Sequence, residues 1–222
     1  MSRSSSEESP PLRVTPEMWC EWGSAATADA LRSLGKAFQS VDGGIRPLCD
    51  VARISGPAFT VRCYPGATWA LEQALELALP GDVLLVDAGG RDDLIVMGGL
   101  MAQRAKTRGL AGAIVDGAVR DVDEIAAIDW PVFSRHICPR AGTHAHVGEW
   151  QTTICCGRVP ISPGDWIVAD RSGITVVPAN LYEQTAAEAA AIMERETIIA
   201  GYLRSGESLA VAASKARQET GS

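Results

Sequence analysis

Short, uninterrupted apolar runs bracketed by glycine and proline recur along the chain, and they constrain its fold more than any other feature. Val83–Val86, Ala113–Val115, Trp166–Ala169 and Ile174–Val177 are too short for helices and too evenly apolar for a strand with one wet face. Such runs are expected of strands covered on both sides. Ala58–Arg62 and Pro131–Phe133 add two further strands. The 22 glycines and 12 prolines punctuate the chain so densely that few stretches are long enough for helices. Those stretches are Thr27–Leu34, closed by Gly35; Trp69–Leu79, ended by Pro80-Gly81; Leu100–Arg108, stopped by Gly109; Asp121–Ile128, stopped before Trp130-Pro131; and Tyr182–Arg204, with Gly206 just beyond. Strands interleaved with helices predict a mixed α/β domain.

With 46% hydrophobic residues in 222, the chain can bury one sizeable core but is short for two. A single domain over residues 14–222 is expected, carrying a C-terminal helix at about 181–205 and preceded by a disordered, serine-rich leader over residues 1–13. Lys plus Arg total 20 against 27 Asp plus Glu, a formal charge of -7. This argues against a duplex nucleic-acid binder, which needs cations to neutralise phosphates, and gives no attraction to anionic membranes. No apolar stretch approaches the ~20 residues needed to span a bilayer. The first residues lack the apolar core of an export signal, so a cytoplasmic protein is expected. The six cysteines form no C-x-x-C pair, and in a reducing compartment they read as mostly buried free thiols.

One internal echo is visible. Pro80-Gly81-Asp82 and Pro163-Gly164-Asp165 each precede four apolar residues and an aspartate. Two copies fall short of a stacked repeat, and read as two similar turns entering two strands.

The chemistry concentrates in Asp116-Gly117-Ala118-Val119-Arg120-Asp121-Val122-Asp123-Glu124. A strand ends near Asp116 and delivers Arg120 and Asp121 to the loop before a helix, where open α/β sheets border their ligand crevices. There the carboxylate of Asp121 can ligate a hard cation, and the guanidinium of Arg120 can clamp a carboxylate or a developing oxyanion. The competing reading is local: Asp121-x-x-Glu124 has the spacing of a helix capping box. A second segment, Gly98-Gly99-Leu100-Met101, opens a helix whose free amides and dipole suit a carboxylate or phosphate, though two glycines also make a plain turn.

Other chemistries find little support. Val86-Asp87-Ala88-Gly89-Gly90 lacks the G-x-G-x-x-G spacing of a dinucleotide site, and no G-x-S-x-G elbow is present. The three lysines, Lys36, Lys106 and Lys215, sit in no apolar run that would lower a pKa for Schiff-base chemistry. His144-x-His146 could face one side of a strand as metal ligands, but reads better as a polar loop.

Together these segments resemble the regulator of ribonuclease activity A-like proteins, which include the 4-hydroxy-4-methyl-2-oxoglutarate/4-carboxy-4-hydroxy-2-oxoadipate aldolases. The resemblance runs from about Thr27 to Gly206 and rests on Asp42-Gly43-Gly44-Ile45-Arg46-Pro47-Leu48, Gly56-Pro57-Ala58-Phe59-Thr60-Val61-Arg62, Pro80-Gly81-Asp82-Val83, the Arg120-Asp121 block and Pro163-Gly164-Asp165. It implies a compact layered swivelling β/β/α domain, assembled as a homotrimer or homohexamer with sites between subunits. It also implies a metal-ligating Asp121, an Arg120 that contacts a pyruvoyl keto oxygen, and amides of Gly98, Gly99, Leu100 and Met101 around the substrate carboxylate. Glu196 of the neighbouring subunit would complete the water shell of the metal.

The aldolases carry an acidic residue twenty-one positions before the motif arginine; this chain has Gly99 there. Asp92 or Asp93 is a candidate to compensate from the preceding loop. The leading expectation is a lyase, dependent on Mg²⁺ or Mn²⁺, that cleaves a carbon-carbon bond of a 2-oxo acid through a pyruvate enolate, as aldolase, oxaloacetate decarboxylase or both. The alternatives are the same metal pocket with other chemistry on a related oxo or hydroxy acid, and a non-catalytic regulator that binds a partner protein.

Overall fold

The computed structural model describes residues 14–49, 53–64 and 66–221; the expected leader, residues 1–13, lies outside them. In chain order come α1 (Pro16–Ser33), β1 (Arg46–Pro47), β2 (Ile54–Arg62), α2 (Trp69–Leu77), β3 (Val83–Asp87), β4 (Ile95–Met97), α3 (Gly99–Thr107), β5 (Gly112–Val119), α4 (Val122–Ala127) and β6 (Val132–Ile137). They are followed by β7 (Glu149–Trp150), β8 (Ile154–Cys156), β9 (Val159–Ile161), β10 (Trp166–Ala169), β11 (Ile174–Val177), a 3-10 turn, α5 (Tyr182–Arg204) and α6 (Leu209–Thr220).

The main sheet runs β1-β6-β5-β3-β2-β10-β11, with β4 pairing β5 and β7 pairing β2. Its middle, β2-β3-β5-β6, is parallel, as the continuous apolar runs require. One face packs on α2, α3 and α4 through Val61, Leu71, Leu84, Val86, Val115 and Trp130. The other face carries Leu85, Ile114, Phe133 and Ile167 against the β8-β9 hairpin. The order hairpin, sheet, helices is the expected layered arrangement. On the flank, α1 and α5 bury Trp19, Leu31, Val177 and Ala186, where Trp19 Nε1 donates to the Tyr182 hydroxyl at 2.9 Å. Among the described residues no helix is long and apolar enough to cross a membrane.

The two Pro-Gly-Asp segments make the same turn. Asp82 Oδ2 accepts from the Leu79 amide and Asp165 Oδ2 from the Ser162 amide, each at 2.8 Å, and both glycines have positive φ. The turns open β3 and β10, the two strands that flank β2.

Three differences from the sequence reading have physical causes. The first helix begins at Pro16, with Thr15 as cap and proline in the first turn, and breaks at Gly23, φ 76°. There Asp170, at the end of β10, accepts from the Ser24 amide and hydroxyl at 2.8 and 2.7 Å and caps the second half from a distance. Helix α6, absent from the sequence reading, buries only the small Ala212 and Ala216; alanine-rich propensity, the Ser208 cap and Gly221 define it. The thiols are less buried than expected: of the six cysteines, all free, only Cys63 and Cys156 are buried, while Cys20, Cys49 and Cys138 are half-buried and Cys155 is exposed.

Strand β5 bends at Asp116-Gly117, where its register with β6 shifts between Val115 and Ala118. A bulge re-aims the strand beyond it, and here it directs Val119 toward β4 and carries Arg120 and Asp121 to the start of α3. Asp116 holds the bend in place: its carboxylate accepts from Arg135 Nε at 2.5 Å and from the Gly157 amide, in the β8-β9 turn, at 2.6 Å. This side-chain contact with Asp116 raises the Arg135 pKa above its ordinary value despite partial burial.

Candidate active site

Asp121 settles which of the two local readings applies. It occupies the capping position of α4 but has left-handed dihedrals, φ 57° and ψ 41°, and its side chain makes no capping hydrogen bond. The expected capping box is therefore not formed. Its Oδ2 instead crosses to the start of α3 and accepts from the Gly99 amide at 3.1 Å. A non-glycine residue in this region is strained, and the strain is sustained only where surrounding structure imposes it.

Arg120 adjoins it, its amide donating to the Met97 carbonyl at 3.1 Å. Its Nε is buried and has no hydrogen-bond partner; the nearest charge is Asp121 Oδ2 at 3.4 Å. The Nε is thus turned toward Asp121, and it is the rest of the guanidinium, on a side chain 41% exposed, that is available to an acceptor in the cavity. Both residues line a cavity of about 310 Å³, together with Gly98, Leu100 and Met101 of the α3 entrance and with Thr68 and His144. The volume suits a small organic acid.

At the α3 entrance, Gly98 is an extended residue without a side chain to cap the helix. The Gly99 amide is engaged by Asp121, whereas those of Leu100 and Met101 lie in the first turn, where no intrahelical acceptor exists. Leu100 itself is 86% exposed. Small size at 98 and 99 is a packing requirement: a Cβ at 98 would stand 2.8 Å from Asp121 Oδ2, and one at 99 would overlap Glu124 Oε2 and lie 3.2 Å from the Glu124 Cβ. The space of a side chain at 99 is thus filled by the carboxylate of Glu124, reaching back from α4. That answers the sequence-level question about Gly99 differently from the expected loop aspartates, since Asp93 is engaged by Arg91 in a bidentate pair at 2.5 and 2.8 Å, and neither Asp92 nor Asp93 lines the cavity.

The remaining sequence candidates separate. Glu196 lies on α5, in a groove against α1 shared with Asp29, Arg32 and Arg195, and within one chain it is not in the cavity wall. His146 stacks on Trp69 with centroids 5.4 Å apart. His144, read from the sequence as part of a polar loop, is in the wall beside Arg120 and Asp121. Nothing local announced this, because its neighbours are 68, 98 and 120.

Among the described residues no three His, Cys, Asp or Glu side chains are grouped to hold a metal ion. The wall offers one carboxylate, that of Asp121, with the carboxylate of Glu124 adjacent at Gly99, and both present hard oxygens. They fit a cation such as Mg²⁺ or Mn²⁺, which keeps several waters and takes few protein carboxylates, better than a closed Cys/His site.

Residues 24–176 match the family model described as RraA-like, Aldolase/RraA. A putative 4-hydroxy-4-methyl-2-oxoglutarate aldolase of Halalkalibacterium halodurans is 40% identical over 134 residues, 60% of this chain and 64% of that relative's length. Among solved structures, an uncharacterized protein of Pseudomonas syringae pv. tomato superposes with a TM-score of 0.79 at 29% identity, over 92% of this chain and 99% of that one. RraAS2 of Streptomyces coelicolor, an unusual member of the RNase ES inhibitor RraA family, superposes with a TM-score of 0.76 at 26% identity, over 88% of this chain and all of its own.

Proposed function

The chain belongs to the RraA-like family, and from that membership and the Arg120–Asp121 cavity we propose that it is a divalent-metal-dependent carbon-carbon lyase acting on 2-oxo acids. The observation that carries this reading is Asp121, turned away from its own helix, hydrogen-bonded at the entrance of α3 and paired with Arg120 in the wall of one cavity. A regulator that works through its outer surface has no use for such an arrangement inside a cavity.

Asp121 and Glu124 are the residues that would hold Mg²⁺ or Mn²⁺, with Glu196 of the partner subunit acting through water in a trimer or hexamer. When bound, the cation supplies Lewis-acid polarisation of the substrate's 2-keto oxygen. The amides of Leu100 and Met101, at the positive end of α3, receive the 2-oxo acid carboxylate. Arg120 directs its guanidinium at the keto oxygen, which gains negative charge as the bond between C3 and C4 breaks and a pyruvate enolate forms. Both aldol cleavage and oxaloacetate decarboxylation pass through that enolate, so one site serves either reaction. The Asp121 hydrogen bond to Gly99 fixes the carboxylate relative to the amides, so that cation and substrate carboxylate are positioned together.

Pyruvate release from 4-hydroxy-4-methyl-2-oxoglutarate and from oxaloacetate, with Mg²⁺ or Mn²⁺ and with EDTA, tests the proposal. Turnover should require the cation and vanish in Asp121→Ala. Arg120→Ala should lower kcat/KM by on the order of 10²-fold or more, and an unchanged value refutes its oxyanion role. A second reading, a regulatory binding protein, draws on the likeness to RraAS2; capture of a ribonuclease of the E type by a protein without metal-dependent turnover would select it.

A further inference from the structure

His144 and Glu72 form a dyad at the same cavity that the reading above leaves without a role. His144 Nδ1 lies 3.2 Å from Glu72 Oε1, and the same oxygen accepts from the Thr68 hydroxyl at 2.7 Å. A carboxylate only accepts hydrogen bonds, so Nδ1 carries a proton toward Glu72, and in that tautomer Nε2 is the nitrogen with the lone pair. No partner for Nε2 is found among the described residues.

The loop carrying this ring is built to hold its place. A Cβ at Gly142 would overlap the carbonyl oxygens of Gly66 and Ile95, so only glycine permits this approach. Thr143 donates to the Gly66 carbonyl at 2.5 Å and accepts from the Thr68 amide at 3.0 Å, which stitches the loop to the start of α2. His146 then stacks on Trp69, the first residue of α2. An incidental surface ion pair would need none of this. The His144 side chain is 85% exposed, standing at the cavity mouth where a bound substrate would cover it.

We propose that His144, oriented by Glu72, is the general base that takes the proton of the C4 hydroxyl during aldol cleavage, a role that rests on the lyase reading. The hydroxyl proton moves to Nε2, the oxygen's electrons form the new C4 carbonyl, and the C3–C4 bond breaks with its electron pair entering the pyruvate enolate. C3 then takes a proton from solvent and the imidazolium releases its own, so the protons balance. Arg120 and His144 line the same cavity, the one assigned to the oxygen that gains charge and the other to the oxygen that loses a proton. The substrates implied are 2-oxo acids with a free hydroxyl at C4. Oxaloacetate has no such proton, and its cleavage needs no base there.

The test is the ratio of cleavage to decarboxylation rates, measured with Mg²⁺ on full-length protein for wild type, His144→Ala, Glu72→Gln and the neighbouring control His146→Ala. His144→Ala should lower the ratio by about 10²-fold or more, with partial recovery in added imidazole. Glu72→Gln, a change at a positioning residue, should lower the cleavage kcat by about tenfold with KM unchanged. His146→Ala, which loosens the stack on Trp69 but leaves the dyad itself, should lower the ratio far less than His144→Ala. Equal loss of both reactions in His144→Ala, or an unchanged ratio, overturns the proposal and leaves the lyase reading standing. Decarboxylation without any cleavage of a C4-hydroxylated substrate also overturns it. Absence of both reactions in wild type overturns the lyase reading and this proposal with it.

Discussion

Asp116→Asn changes almost no volume, yet it should be among the more damaging conservative substitutions in this chain. The carboxylate accepts at 2.5 Å from Arg135 Nε and at 2.6 Å from the Gly157 amide, and its side chain is only 10% exposed, that of Arg135 19%. An asparagine offers one oxygen and one NH₂ group, so whichever way it turns, a donor faces a donor. An orphaned buried donor costs about 1–3 kcal/mol, and breaking a fully buried ion pair about 3–5 kcal/mol. Arg135 retains Asp42 Oδ2 at 3.5 Å and some access to water, which brings the expected loss to about 2–4 kcal/mol. At about 2–4 °C per kcal/mol for a chain of this size, Tm should fall by roughly 4–16 °C. The matched control is Asp29→Asn, whose pair with Arg32 has side chains 51% and 72% exposed; it should cost no more than about 0.5 kcal/mol. Urea denaturation at pH 7 and fixed protein concentration, followed by circular dichroism, measures both, and amide exchange at Gly157 should quicken in Asp116→Asn. A loss in Asp116→Asn no larger than in Asp29→Asn would refute the reasoning.

Gly99→Asp should destabilise the metal-free protein by about 1 kcal/mol, because the new Cβ displaces Glu124 and adds a third carboxylate beside Asp121; Glu124→Ala in the same chain should remove most of that cost, and thermal melts of the single and double variants decide it. Asp170 has its pKa pushed up by burial but lowered on balance by the Ser24 amide and hydroxyl and by the Ser172 and Gly173 amides. Its contribution is therefore present above the unfolded value of about 3.9 and lost as pH falls through the lower folded value. The urea midpoint should drop between about pH 5 and pH 3, and less steeply in Asp170→Asn; equal slopes count against the cap. Burial pushes the Cys63 thiol up to about 12 and raises that of Cys156 as well, so iodoacetamide at pH 8 should label exposed Cys155 first and reach those two only on unfolding. Early labelling of Cys63, read by peptide mass spectrometry, contradicts the packing.

Much of the fold was legible because its determinants are local. The Pro-Gly-Asp turns hydrogen-bond within four residues, and α5 runs over Tyr182–Arg204 as its pattern implies. The β8-β9 hairpin escaped notice since its turn, Gly157-Arg158, places both residues at positive φ without the usual asparagine or aspartate signal. In the site, the Arg120-Asp121 segment stood out by composition, but whether Asp121 capped its own helix or reached across to another was not decidable from spacing. The Glu124 carboxylate at Gly99 was equally hidden, because a whole strand separates the two residues in the chain, whereas Asp92 and Asp93 stand close to Gly99 in sequence.

By itself, then, the sequence determined the alternation of strands and helices, the turn geometry, and the residue types available for chemistry, since each follows from preferences within a few positions. Only the tertiary structure decided which groups meet. Gly99 and Asp121 are 22 residues apart and Glu72 and His144 are 72 apart. Their contacts depend on the parallel register of β3, β5 and β6, on the bulge at Asp116-Gly117, and on a loop that closes over Gly142. Distances of that kind are set by the packing of whole layers, and no local pattern encodes them.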